Sequence, residues 1–291
     1  MDERAIGIAA ALASAFCWAL GSILFKQLGE RLSPTALTFA KGIVGTVFLG
    51  LAVVPSGYQP VEFSALIMLI LSGVLGIALG DTLFFKALGN LGAYAVVMLL
   101  TLGQVFTLLL AVVWLGERPS LVEWIGIVFV VTGVTVVLAV RLSEEGSSRF
   151  IGVVWGLAAV ACMSVSTIIA KEALATTDSV QAAFIRMLAG TVGIFLFAAP
   201  TLQLAGLSAL KEPRFAGFFL LAVAVVTFGG FWLSLLAIQK VDVTLANTLG
   251  STEPLWILPL AAFVLKETIK PAVVGGSVLT VLGIILLIRP W

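Results

Sequence analysis

Apolar stretches of spanning length alternate with short polar connections along the whole chain. They run about Ala5–Phe25, Pro34–Val54, Ser64–Leu88, Ala93–Leu115, Leu121–Val140, Phe150–Ala170, Val180–Pro200, Phe215–Ile238, Val243–Leu265 and Pro271–Ile288. About 20 apolar residues in a helix cross a hydrocarbon core of about 30 Å. Each stretch therefore predicts a transmembrane helix, ten in all, and the fold class is an all-α integral membrane protein. The loops carry nearly all of the charge, and Arg141–Arg149 is the one linker-like connection.

That linker divides two copies of one unit. Setting Arg4 on Arg149 pairs Gly7 with Gly152, Cys17 with Cys162, Lys26 with Lys171, Phe39 with Phe184 and Lys41 with Arg186. A slightly longer offset pairs Gly80 with Gly230, Thr101 with Ser251, Gly126 with Gly276 and Gly133 with Gly283. The change of offset fits one longer loop near Leu207–Pro213. Residues 1–142 are expected to form the first five-helix repeat and 150–291 the second. An odd number of spans makes the second copy enter the membrane from the opposite side, giving two inverted repeats, an arrangement used by many secondary transporters.

Composition narrows the chemistry. The 291 residues are 61% hydrophobic and 11% charged, with a mean hydropathy of +1.20, which excludes a pair of soluble domains. The net charge of +1 gives no footprint for nucleic acid. No His is present, which removes His-built zinc and haem sites and every Ser-His or Cys-His dyad. No metal, cofactor or catalytic residue is expected. Cys17 and Cys162 lie inside apolar runs, where packing is the expected role rather than a disulfide. The run from Ala5 imitates a signal peptide, but it reaches spanning length and its partner at Ile151–Ala170 is internal.

The ends of the copies carry a resemblance. Each has an early span ending in Lys and a second span with a cation near its start. Each also has a helix ending Leu-Gly-Glu117 or Leu-Lys-Glu267, followed by a glycine-spaced span. With Glu253-Pro254 inside the ninth span, this pattern resembles the ten-span EamA family of the drug/metabolite transporter superfamily, across essentially the whole chain. The first copy departs from it, with Gly103-Gln104 where the second has Glu253-Pro254. The resemblance implies a multi-pass carrier in the plasma (inner) membrane, often an exporter of amino acids or related metabolites, with cytoplasmic termini. Loop Lys and Arg counted by the positive-inside rule favour the opposite orientation; the resemblance is followed here.

Ionisable residues at membrane depth are the first candidates for function, because placing one there costs about 2.5–3.5 kcal/mol on insertion scales. Asp81, Glu253, Lys41 and Arg186 qualify and are the candidates for coupling or charge relay. A carboxyl at the centre of a span favours its neutral form unless a cation or water stands beside it, which makes Glu253 a candidate proton carrier. Ion pairing between helices is the competing role for all four. Gly73, Gly76 and Gly80 form a small-residue face that admits a close helix neighbour.

Thr244, Asn247, Thr248 and Ser251 fall at i, i+3, i+4 and i+7, one helical face. Glu253 falls roughly opposite that stripe on an ideal helix. Tyr94, Thr101 and Gln104 follow the corresponding face of the fourth span. Trp18 and Ser22 form a line with Lys26, echoed by Met163, Thr167 and Lys171. Together with Asp81, Trp18, Ser22, Tyr94, Thr101, Gln104, Thr244, Asn247, Thr248 and Ser251 are the candidate substrate-binding residues; packing and hydrogen bonds between helices are the alternative. The expected partners are a small-molecule substrate and the lipid bilayer, with protons as the candidate coupling ion; the pattern carries no signal for an oligomeric state. A channel or membrane scaffold is the alternative to a carrier. Intramembrane aspartyl proteolysis would need a second deep Asp beside Asp81, and no Walker phosphate-binding loop is present.

Overall fold

The computed structural model describes residues 3–103, 105–106, 109, 120–143, 148–198, 206–241, 243–250, 252–266 and 269–288. All regular structure among them is helical. An apolar chain in lipid must satisfy its own backbone, and the helix does so within one segment. We number the helices α1 (Glu3–Leu28), α2 (Pro34–Val53), α3 (Phe63–Leu91), α4 (Ala93–Leu100), α5 (Leu121–Leu142), α6 (Ser148–Ala173), α7 (Ser179–Ala198), α8 (Pro213–Lys240), α9 (Val243–Gly250), α10 (Glu253–Val264) and α11 (Pro271–Ile288). Seven of them, α1, α2, α3 and α5 to α8, are long and apolar enough to cross a membrane.

Local chemistry sets several boundaries. Ser33 caps α2 by accepting from the Ala36 N–H at 3.2 Å, with Pro34 in the first turn where its missing N–H is harmless. Ser120 and Glu123 close a reciprocal capping box on α5. Gly92, at φ +84°, turns the chain between α3 and α4 in one residue. A Cβ there would fall 2.7 Å from the Arg141 guanidinium, whose Nε donates to the Leu91 carbonyl at 2.5 Å.

The ninth apolar stretch is two helices rather than one. The Thr252 N–H bonds to the Leu249 carbonyl at 3.1 Å in a tightened turn, and its Oγ1 donates to the same oxygen at 2.7 Å. Pro254 then opens α10, contributing no N–H to the helix before it. Thr101 ends α4 by the same device, bonding Met98 O through its N–H at 3.3 Å and its Oγ1 at 2.6 Å. The third and eighth stretches are interrupted differently. Each widens into π-helical turns, at Val74–Asp81 in α3 and Val225–Trp232 in α8. These wide turns fall at positions that the sequence offset pairs to within a residue.

Glycines decide which helices touch. Gly126 faces Gly283 and Gly133 faces Gly276, so α5 and α11 pack backbone to backbone and run antiparallel. Helices α2 and α7 are also antiparallel, with Gly42 against Thr191, Gly45 against Met187 and Gly50 against Phe184. Contacts recur with the two copies exchanged. Gly7 meets Lys240 and Val241, as Gly152 meets Asn90 and Leu91; Gly230 meets Trp18, as Gly80 meets Met163. Thr46 and Thr191, paired by the first offset, face each other at 3.4 Å.

Candidate functional site

Asp81 closes the wide turn of α3, and Lys41 lies two turns into α2. Both are buried, and the Lys41 ammonium donates to the Asp81 carboxylate. Its Nζ also lies 5.8 Å from the centroid of the Phe85 ring. At the matching position in the second copy the cation is Arg186 on α7, while the place of Asp81 is taken by Phe231. The guanidinium stacks 4.8 Å from the Phe231 ring centroid, a cation–π contact in place of an ion pair. Gly73 lets α3 lie directly on the Arg186 backbone, and Gly76 leaves room for the Ser166 hydroxyl, which accepts from Arg186 Nη2 at 3.0 Å. The small-residue face of α3 thus has a definite use: it brings α6 and α7, and a buried cation, up to Asp81.

Two cavities adjoin these groups. One, of about 200 Å³, has Asp81, Ser166, Thr167, Arg186 and Phe231 in its wall. The other, of about 180 Å³, is lined by Ser14, Thr101, Gly250 and Glu253 among others. Trp18, Ser234 and Ile238 belong to both linings and form the partition. The partition is hydrogen-bonded: Trp18 Nε1 donates to Ser234 Oγ at 3.1 Å, and Ser14 Oγ stands 2.6 Å from Ser234 Oγ. Ser14 and Ser234 hydroxyls also donate to the Gly230 carbonyl, at 2.8 and 2.7 Å. Among the described residues Glu253 makes no ion pair, and its cavity offers it only hydroxyls and the indole. Two acids, Asp81 and Glu253, one cation, Arg186, and several hydroxyls therefore line interior space within an otherwise apolar bundle.

A model of the EamA-like transporter family matches this chain twice, over residues 5–139 and 150–289. The chain belongs to the EamA-like transporter family. It is a multi-pass membrane protein, and family membership points to transport rather than catalysis. Among curated relatives, a "Probable terminal-alkyne amino-acid exporter" of Streptantibioticus cattleyicolor is 26% identical over 87% of this chain and 83% of its own length. An "Uncharacterized transporter" of Archaeoglobus fulgidus is 23% identical over 94% and 95%. "Uncharacterized inner membrane transporter YhbE" of Escherichia coli is 26% identical over 47% of this chain, a match spanning 42% of that relative's length. A solved crystal structure shares the fold with a TM-score of 0.61, at 18% identity over 94% of this chain and 96% of that one.

Within this EamA-like bundle the sequence candidates separate. Trp18, Asp81, Thr101, Arg186 and Glu253 line the two cavities. Lys41 and Ser22 instead border a small void of about 10 Å³ sealed by Phe25, Phe84 and Phe85, with Ser22 Oγ donating to the Trp18 carbonyl at 3.0 Å. Tyr94 lies in the core beneath the Arg141 guanidinium, 5.4 Å from it, and lines neither cavity. Gln104, Ser251, Glu117 and Glu267 lie outside the described residues, as do the side chains of Thr244, Asn247 and Thr248. Lys26 and Lys171 are held at helix ends, Lys26 by the Leu88 and Gly89 carbonyls at 3.2 Å and Lys171 by Ile238 O at 2.7 Å. Ser14, Ser166 and Ser234 were not singled out by the sequence reading. The spacing of Ser14 four residues before Trp18 was the available signal.

Proposed function

We propose that this protein is a secondary transporter that moves small organic metabolites, amino acids or related compounds, out of the cell across the plasma membrane. The reading is alternating access in a ten-span bundle of two inverted five-helix repeats, residues 1–142 and 150–291, with cytoplasmic termini. The observation that carries it is the exchange of contacts between the copies around a divided interior cavity. Antiparallel pairing of α2 with α7 and of α5 with α11 supports the inversion, since these are matching helices of the two halves. Two halves related in this way can trade conformations at similar energy, opening the same site first to one side and then to the other. The double family match supports the duplication. The name of the Streptantibioticus relative supports amino-acid-like substrates and export, and that of the E. coli relative supports the inner membrane.

In this mechanism Trp18 and Ser234 part as substrate passes between the cavities, and Glu253 carries the coupling proton. Reconstituted vesicles loaded with unlabelled amino acids and given labelled ones outside test the reading. A carrier gives saturable uptake stimulated by internal substrate. Uptake that is linear in concentration and indifferent to internal substrate would leave a pore. Glu253→Gln is expected to abolish accumulation driven by a proton gradient while sparing exchange. Undiminished accumulation in that variant at every pH removes the proton from Glu253.

A further inference from the structure

The charges around the Asp81 cavity do not balance. Lys41 and Arg186 supply two cations, and Asp81 is the one anion that the described residues place with them. Lys41 is committed to that anion through a direct ion pair. Arg186 is 6% exposed, and among the described residues only Nη2 of its three nitrogens makes a hydrogen bond, to Ser166 Oγ. Nε is buried without a partner, and Nη1 has no partner among the described residues. A guanidinium has five N–H donors in a planar fork, so most of its capacity is unspent. The Phe231 contact offsets part of the desolvation of this cation, and an anion or further hydrogen bonds would offset the rest. Phe231 covers one face of the guanidinium plane and leaves the edge as the direction for a ligand.

We infer that the Asp81–Arg186 cavity is an anion subsite that takes the carboxylate of the transported molecule on the Arg186 guanidinium. This rests on the transporter reading and specifies its substrate class: compounds with a free carboxylate and a short apolar or aminated body. The planar fork suits a carboxylate, which accepts two parallel N–H bonds. The apolar part of the cavity, Ile77, Leu235 and Ile238, suits an aliphatic remainder. The Lys41–Asp81 pair serves the subsite indirectly, because Asp81, bonded directly to Lys41, takes no N–H from Arg186 and leaves those donors for the incoming anion.

The test uses purified full-length protein in detergent and four probes: 4-methylpentanoate, its amide, L-leucine and L-leucinamide, each titrated while the unfolding midpoint is followed. Sodium chloride at matched ionic strength reports on inorganic anions. The acids are expected to raise the midpoint saturably, with apparent affinity at least about tenfold above that of the amides. Arg186→Lys, which keeps the charge and loses the fork, is expected to weaken the acids by about tenfold and leave the amides unchanged. Equal response to acid and amide overturns the subsite, as does an equal effect of chloride, unchanged acid selectivity in Arg186→Lys, or no shift with any probe. The wild-type comparison needs no variant to fold. Saturable exchange in vesicles with acid–amide indifference removes the subsite and leaves the carrier; acid selectivity without exchange removes the carrier and leaves the subsite.

Discussion

At Asp81 one carboxylate answers to two buried cations, and the consequences of removing each partner differ. Lys41→Met leaves Asp81 near Arg186, so the lost pairing is partly replaced. Asp81→Leu leaves both cations without an anion. Breaking a buried pair costs about 3–5 kcal/mol, and Lys41→Met is expected near the lower end and Asp81→Leu near the upper. Thermal unfolding of the purified variants checks the order; equal or reversed losses would mean that Arg186 does not share the carboxylate. Depth made these residues legible in the sequence, because ionisable side chains within apolar runs stand out from their neighbours. Ser14 and Ser234 carried no such mark. A lone serine in a membrane helix reads as one more small residue until packing brings two of them to within hydrogen-bonding distance across α1 and α8.

Elements were legible where they depend on length and hydropathy, and less so where the backbone departs from an ideal helix. The small-residue face Gly73, Gly76 and Gly80 was legible as a site of close approach, whereas Gly126, Gly133, Gly276 and Gly283 stood out only as matching positions, and α5 and α11 meet along them. The wide turns of α3 and α8 left no trace in the pattern, since an i→i+5 bond asks for no particular residue. They matter because they carry Asp81 and Phe231 to the two cations. The ninth stretch reads as one span with Glu253-Pro254 inside it, whereas the chain breaks there, and the tightened turn ends at Thr252, whose hydroxyl occupies the Leu249 carbonyl. This break releases Glu253 from the helical phase of α9, which the ideal-helix reading could not supply. At the seam, a Cβ on Gly133 would lie 2.7 Å from the Thr280 nitrogen. Gly133→Ala is therefore expected to push α5 and α11 apart at a cost of about 1–3 kcal/mol. Gly275→Ala, with open space around its Cβ, is the matched control. Equal denaturation midpoints for the two variants would show that the seam has room to spare.

Over the whole molecule, duplication was readable because identities recur at constant offsets, and it has a geometric counterpart that sequence cannot express. When Gly7 meets Val241 and Gly152 meets Leu91, each copy uses the same surface against the other, as an isologous pair does. Matching helices that touch while running antiparallel fit an exchange axis lying across them, as the proposed inversion needs. Arg31, after α1, and Thr176, after α6, occupy matching places in the two copies and are both exposed. Under the proposed inversion the two lie on opposite membrane faces. Arg31→Cys forfeits an exposed ion pair with Glu212, of 2.7 Å and worth about 0–1 kcal/mol, so the replacement leaves the fold intact. In sealed right-side-out vesicles of protein lacking Cys17 and Cys162, a membrane-impermeant maleimide is expected to label one of the two positions and not the other. The proposed cytoplasmic termini specify that the reactive one is Arg31→Cys. Labelling of Thr176→Cys alone would keep the inverted pair and reverse its orientation, whereas labelling of both from one side would end the inversion, and with it the physical basis for alternating access.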